Sequence, residues 1–154
     1  MSDQPRSIDA PPIVNRSMPP GSVVPVLHYP DVRAAVTWLC ATFGFTERLR
    51  IGAHRAQLLV APGAAVVIAQ GDGPTNPQDS LMIVVAQVDQ HHAQVAARGA
   101  QIVAPPQDFP FGERQYTAAD LRGRRWTFSQ SLRDVAPDTW GGVVPEAEAP
   151  DHRP

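Results

Sequence analysis

The sequence lacks several kinds of residue, and each absence excludes a kind of chemistry. All 13 basic residues in its 154 are arginine, which excludes a lysine Schiff base and a phosphate-loop lysine. The single cysteine, Cys40, allows no disulfide within the chain. The formal charge of -2 offers no basic surface for nucleic acid, and no apolar run reaches the roughly 18 residues of a membrane span. With no charged-then-apolar signal pattern at the N-terminus, we expect a bacterial cytoplasmic protein that binds neither nucleic acid nor membrane.

Proline and small polar residues are concentrated in three stretches without apolar periodicity. These stretches are residues 1–21, 71–79 and 143–154. Such segments bury too little apolar surface to offset the entropy lost on ordering. The sequence therefore predicts disordered tails at 1–21 and 143–154 and one folded region, 22–142. The connector 71–79 divides that region into two halves, 22–70 and 80–142.

The two halves repeat each other with a period of about 60 residues. Each opens with an apolar strand followed by an aspartate, Asp31 or Asp89, and each closes on a glutamine, Gln70 or Gln130. A helical stretch follows each aspartate, the first ending at Gly44, and three strand-like segments follow each helix. Each half therefore has the order βαβββ. Two such modules side by side predict an α+β fold with a curved mixed sheet and a central cleft, which is a common kind of ligand site.

Two segments resemble the vicinal oxygen chelate superfamily of glyoxalases, bleomycin-resistance proteins and dioxygenases. They are VPVLHYPDVRAAVTWLCATFGF and PFGERQYTAADLRGRRWTF. The second resembles the family's closing pattern of Gly-x-Arg and then Asp-Pro-x-Gly-x-x-Trp, with Leu121 where proline is usual. The resemblance covers roughly 22–142 and is closest to small bleomycin-resistance-like and PhnB-like members. It implies the two-module fold and a homodimer with clefts between subunits.

The resemblance also implies where the family's metal ligands would lie. Each module would supply one ligand from its first strand and one from its last, at Val24, Val67, Met82 and Thr127. Divalent metals need histidine, carboxylate or thiolate donors, and these four side chains offer none. We therefore expect no metal and no other cofactor. The alternative metal site is a pair, His28 and His54, which is incomplete.

Polar residues on the strands are then the candidate ligand-binding groups. Strand alternation puts Arg114 and Tyr116 on one face and Gln115 and Thr117 on the other, and the sequence does not decide which face lines the cleft. We predict that the ligand-binding residues are Arg114, Tyr116, His54, Gln57 and Thr127. Arg114 has two open roles, which are to hold the closing turn by pairing with Glu113 or Asp120, or to present its guanidinium to a ligand.

The remaining reactive and aromatic residues have structural interpretations. Trp126 and Phe128 are expected in the core, as is Cys40 on the apolar stripe of the first helix. His91 and His92 point about 100° apart on a helix, so we expect two half-buried or solvated side chains and no chelating pair. His152 lies in the C-terminal tail.

These observations favour a metal-free small-molecule-binding protein that sequesters a drug or metabolite and is not an enzyme. The first alternative is a metal-dependent lyase, isomerase or dioxygenase of the same superfamily with displaced ligands. The second is a non-catalytic interaction module whose cleft is filled by side chains. Metal content distinguishes the metal-free binding protein from the metal-dependent enzyme. Stabilisation by any ligand distinguishes the binding protein from the interaction module.

Overall fold

A computed structural model describes residues 8–11 and 13–146 of the chain. The predicted tails therefore lie partly outside the described residues, and His152 lies wholly outside them. The elements follow the order β1 (Val26–Tyr29), α1 (Val32–Phe43), β2 (Thr46–Ile51), β3 (Arg55–Ala61), β4 (Ala64–Gln70), β5 (Ser80–Val84), α2 (Val88–Ala97), β6 (Gln101–Asp108), β7 (Glu113–Ala119) and β8 (Arg125–Ser131), with a 3-10 turn at Pro137–Thr139. This order confirms the α+β class and the two βαβββ modules.

The eight strands form two four-stranded mixed sheets, one for each module. The strand order is β1-β4-β3-β2 in the first sheet and β5-β8-β7-β6 in the second. In each module the first strand pairs in parallel with the last, and the other pairings are antiparallel. The middle of each sheet therefore contains the strand that is made last in its module.

The two helices begin in different ways. Asp31 caps α1 by accepting a hydrogen bond from the backbone N–H of Ala34 at 3.0 Å, as N-cap aspartates do. The N-cap of α2 is Gln87, whose side chain makes no capping hydrogen bond. Instead, the Val88 N–H in the first turn donates to Gln130 Oε1 on β8 at 2.9 Å. Asp89 is thus inside the helix and is not the equivalent of Asp31. Within the described part of the chain, neither helix is long and apolar enough to cross a membrane.

One hydrophobic core serves both modules. Phe43, at the end of α1, packs against Trp126 and Phe128 of β8 at ring-centroid distances of 5.8 and 5.1 Å. The predicted core positions Trp126 and Phe128 are fully buried, while Cys40 is half-buried against the same cluster. Because the helix-bearing faces of both sheets converge on this core, their opposite faces point away from it. We call these the open faces.

Asp120 anchors the closing turn and joins it to the first module. Its Oδ2 accepts hydrogen bonds from the Tyr29 hydroxyl at 2.6 Å and from the Trp126 indole N–H at 3.0 Å. Its Oδ1 accepts from the backbone N–H groups of Arg122 and Arg124. Burial, and then the Asp120 carboxylate, raise the pKa of Tyr29 above its ordinary range. Asp120 and Trp126, the aspartate and tryptophan of the closing pattern, therefore belong to one buried hydrogen-bonded unit.

Candidate functional site

A band of polar side chains crosses the open face of the second sheet. Thr117 and Thr127 are paired across β7 and β8, and their hydroxyls are 2.8 Å apart. Further along the same two strands, Glu113 Oε1 accepts from the Ser129 hydroxyl at 2.7 Å and from the Gln115 amide at 3.3 Å. We call these five residues the polar track. Ser129 is only 2% exposed and Thr127 only 9%, so the track is held in place by the sheet beneath it.

The open face of the first sheet is partly covered by the chain's own N-terminal segment. Gln57 donates from its side-chain amide to the Ser17 carbonyl at 2.7 Å and accepts from the Arg48 guanidinium. Arg48 also donates to the Arg16 carbonyl, and Pro19 is buried. As a result Gln57 is a polar side chain that is only 4% exposed. The sequence did not predict this contact, because residues 16–20 show no apolar period.

An apolar groove lies beside the polar track where the two modules meet. It has a volume of about 360 Å³, and its lining includes Val23, Pro25, Val60, Ala65 and Met82. Met82 on β5 is the backbone partner of Thr127 on β8, so the groove and the track adjoin through this pair. An amphipathic molecule would find hydrogen-bonding groups and apolar surface side by side here.

The four positions that the resemblance implies for metal ligands carry side chains that do not suit a metal ion. Val24 and Val67 provide only alkyl groups and Met82 a thioether, and the Thr127 hydroxyl already contacts Thr117. The implied first-strand positions, Val24 and Met82, lie about seven residues before Asp31 and Asp89. Because the N-cap of α2 is Gln87 and not Asp89, the same spacing in the second module leads to Ser80, whose hydroxyl is no better as a metal ligand. The described residues contain no cluster of three histidine, cysteine or carboxylate side chains suited to a metal.

Arg114 and Tyr116 lie on the helix side of the second sheet and not on its open face. Arg114 donates to Asp89 on α2 and to Asp108 at the end of β6, both at 2.9 Å. Its acidic partners therefore differ from the predicted Glu113 and Asp120. Tyr116 is 1% exposed, and burial raises its pKa above the ordinary range. The structure thus separates these two predicted residues from Gln57 and Thr127.

The histidines also occupy separate places. His28 is exposed on β1, and His54 is exposed in the turn between β2 and β3. In the sheet, β4 lies between β1 and β3 and so separates the two histidines. His91 is half-buried and links the modules, since its Nε2 contacts the Phe43 carbonyl at 3.0 Å. A carbonyl can only accept, so Nε2 carries the proton and Nδ1 accepts from the Tyr116 hydroxyl.

The sequence interpretation missed four members of the polar track, namely Glu113, Gln115, Thr117 and Ser129. A usable signal was present in the closing turn. The backbone N–H of Asp120 bonds to the Arg124 carbonyl, which fixes the hairpin register so that Thr117 pairs with Thr127. Given Thr127 on the open face, strand alternation then places the other members there too.

Another cavity, of about 650 Å³, lies on the outer side of α1 beside Trp38, Arg98 and Leu121. Its cationic groups are already engaged, because Arg33 binds Glu47 and Arg98 donates to the Thr42 carbonyl. We place the candidate site on the open faces, where several polar side chains converge on one surface.

Comparisons with known proteins agree with this architecture. TioX from Micromonospora sp. ML1 is 33% identical, with 75% of this chain and 100% of TioX covered and a TM-score of 0.62. The fosfomycin resistance protein FosX from Listeria monocytogenes is 17% identical, with 74% and 95% covered and a TM-score of 0.60. A glyoxalase/bleomycin resistance protein/dioxygenase from Nocardioides is 18% identical, with 76% and 88% covered and a TM-score of 0.59. The last two likenesses concern the fold alone.

No significant match was found among curated proteins. The family model for the glyoxalase/bleomycin resistance protein/dioxygenase superfamily matches residues 23–128, which extend into both modules and include every member of the polar track except Ser129. The chain therefore belongs to the glyoxalase/bleomycin resistance protein/dioxygenase superfamily.

Proposed function

We propose that this protein captures an organic small molecule on its open faces without a resident metal ion. The observation that supports this most is the polar track beside the apolar groove. Thr127 stands where the family resemblance implies a metal ligand, and its hydroxyl is paired with that of Thr117. The surface therefore offers hydrogen bonds and apolar contact to a ligand, which is sufficient for stoichiometric capture.

The proposed ligand is amphipathic. Its polar groups would contact the hydroxyls and amides of the track, and its apolar part would enter the groove of about 360 Å³ lined in part by Met82 and Ala65. FosX is named as a fosfomycin resistance protein, and the family name includes bleomycin resistance. These names make antibiotics the first compounds to test.

We further propose that two copies pair through their open faces. Val26, Met82 and Val84 are between 45% and 68% exposed on these faces. A second copy can cover these apolar side chains. A ligand would then be held between subunits.

A thermal-shift screen tests the proposed function. The panel contains bleomycin, fosfomycin and aromatic metabolites, each measured with and without EDTA. At least one compound is expected to raise the Tm equally in both conditions. Thr127→Val should weaken the binding of that compound by roughly threefold to tenfold, the range for one neutral hydrogen bond, while Thr37→Val, at an exposed position on α1, should leave it unchanged. A panel without any stabilising compound would argue against capture.

Elemental analysis provides the first prediction. The purified protein should contain no stoichiometric first-row metal, because the implied ligand positions Val24, Val67, Met82 and Thr127 lack donors that hold such ions. The measurement is inductively coupled plasma mass spectrometry after dialysis. About one Zn, Fe, Mn or Ni per chain, lost together with ligand binding on chelation, would favour the metal-dependent enzyme hypothesis instead.

A further inference from the structure

Glu113 is the one carboxylate among the open-face residues of β7 and β8. The other members of the polar track are neutral. Arg114, its neighbour in sequence, points to the opposite side of the sheet and is held there by Asp89 and Asp108. Arg125 shares the open face but lies at the far end of β8, roughly 20 Å away at about 3.4 Å per strand residue. The Glu113 end of the track is therefore negative.

The contacts of Glu113 leave half of its carboxylate available. Both hydrogen bonds that it accepts, from Ser129 and from Gln115, reach Oε1. Among the described residues no donor reaches Oε2, and no arginine or histidine forms an ion pair with this carboxylate. Because Ser129 is almost fully buried, it fixes the carboxylate in one orientation. Such a prepositioned acceptor loses little entropy when a ligand binds.

A cavity opens directly beside Glu113. It has a volume of about 460 Å³ and is lined by Phe111, Gly112, Glu113, Ser131, Leu132, Arg133 and Asp134. The Phe111 ring stacks on Phe109 and meets Trp140 edge-on, so it is supported from two sides. A carboxylate beside an aromatic ring is a combination that attracts ammonium groups. Arg133 is the only cationic residue in this lining, which also contains the carboxylates of Glu113 and Asp134, so the lining has a net negative charge.

We infer that Glu113 selects ligands that carry an ammonium or other cationic N–H group, and that this group binds at Oε2. The inference rests on the proposed function and specifies its ligand class. The ammonium group would donate to Oε2, while the remainder of the ligand would extend along the polar track toward Thr127. Anionic analogues would be repelled at the same position.

The test compares tryptamine with indole-3-acetate, which share a ring system and differ in the charge of the side chain. Binding to the full-length protein is measured by isothermal titration calorimetry. Tryptamine is expected to bind at least roughly tenfold more tightly than indole-3-acetate, the lower limit for a hydrogen bond to a charged group. Glu113→Gln should remove this preference, while Asp79→Asn, at an exposed carboxylate in the connector, should preserve it.

The outcomes separate this inference from the function on which it rests. If indole-3-acetate binds as tightly as tryptamine, or if tryptamine fails to bind at millimolar concentration while another compound of the panel binds, the ammonium selectivity is wrong and capture stands. If no compound binds, both the ammonium selectivity and the proposed capture function are wrong. If Glu113→Gln weakens self-association and leaves tryptamine binding unchanged, the carboxylate belongs to a contact between copies and the inference is overturned. The wild-type comparison remains decisive even if Glu113→Gln does not fold.

Discussion

Two single side chains, Asp120 and His91, join the modules by hydrogen bonds that cross from one half of the chain to the other. Asp120 receives Tyr29 from the first module, and His91 contacts the carbonyl of Phe43. Both lie in or beside the shared core, where an unpaired polar group is costly. Changes at these residues should therefore act on the stability of the whole chain.

Asp120→Ala should lower the free energy of unfolding by about 3 kcal/mol, because it leaves the Tyr29 hydroxyl and the Trp126 indole N–H buried without an acceptor. The measurement is urea unfolding followed by tryptophan fluorescence. Asp79→Ala, at an exposed position, serves as the control and should stay within about 0.5 kcal/mol of wild type. A loss below about 1 kcal/mol for Asp120→Ala would contradict the role assigned to this carboxylate.

His91 should make stability fall as the solution is acidified. Burial, reinforced by Arg98 and partly opposed by the hydrogen bond to Phe43, holds the pKa of His91 below its ordinary 6.5. At pH values between the pKa of His91 in the folded chain and that in the unfolded chain, only the unfolded chain binds the extra proton. The free energy of unfolding therefore decreases as the pH drops below 6.5, and it becomes constant below the pKa of the folded chain. One proton gives at most about 1.4 kcal/mol per pH unit.

Urea titrations at several pH values between 8 and 5 test this expectation. The slope should become shallower in His91→Gln, which cannot take up the proton. His92→Gln, its neighbour on α2, should retain the wild-type slope. Equal slopes in wild type and His91→Gln would show that another group controls the acid sensitivity.

At the scale of elements, the N-terminal segment 16–20 behaves as an added layer on the first open face. Deleting residues 1–21 should lower the Tm by about 4 °C, or roughly 1 kcal/mol, relative to deleting residues 1–14, because the longer deletion removes the contacts of Ser17 and Pro19 while the shorter one keeps Asn15, which binds Ser17. Differential scanning calorimetry of the two truncated chains compares them directly. Equal Tm values would mean that the contact to Gln57 contributes no stability.

Local patterns predicted most elements, and tertiary contacts explain the remainder. The apolar stripe and Gly44 define α1 as Val32–Phe43, the range that the structure shows. The start of α2 was misplaced because Asp89 pairs with Arg114 and does not cap the helix. The face that carries the site could not be predicted, since alternation along β7 is the same for either orientation and only packing on α2 decides between them.

At the scale of the whole molecule, self-association is the main expectation. The sedimentation mass at micromolar concentration should be about twice 16.6 kDa, because the open faces expose apolar side chains that a second copy can cover. Val84→Glu should shift the equilibrium to the monomer. Leu121→Glu provides the control, since Leu121 is also exposed but lies on the helix side. A wild-type mass near 16.6 kDa would contradict the dimer.

The order of strands within the second sheet also affects how the protein emerges from the ribosome. The edge strand β5 has β8 as its neighbour, yet β8 is synthesised about 40 residues later, which takes about 2–8 s at 5–20 residues per second. During this interval β5 presents Met82 and Val84 without its partner. Nascent chains should therefore recruit chaperones mainly while β5 lacks its partner strand. A slow codon between β5 and β8 should increase aggregation more than a slow codon placed after β8.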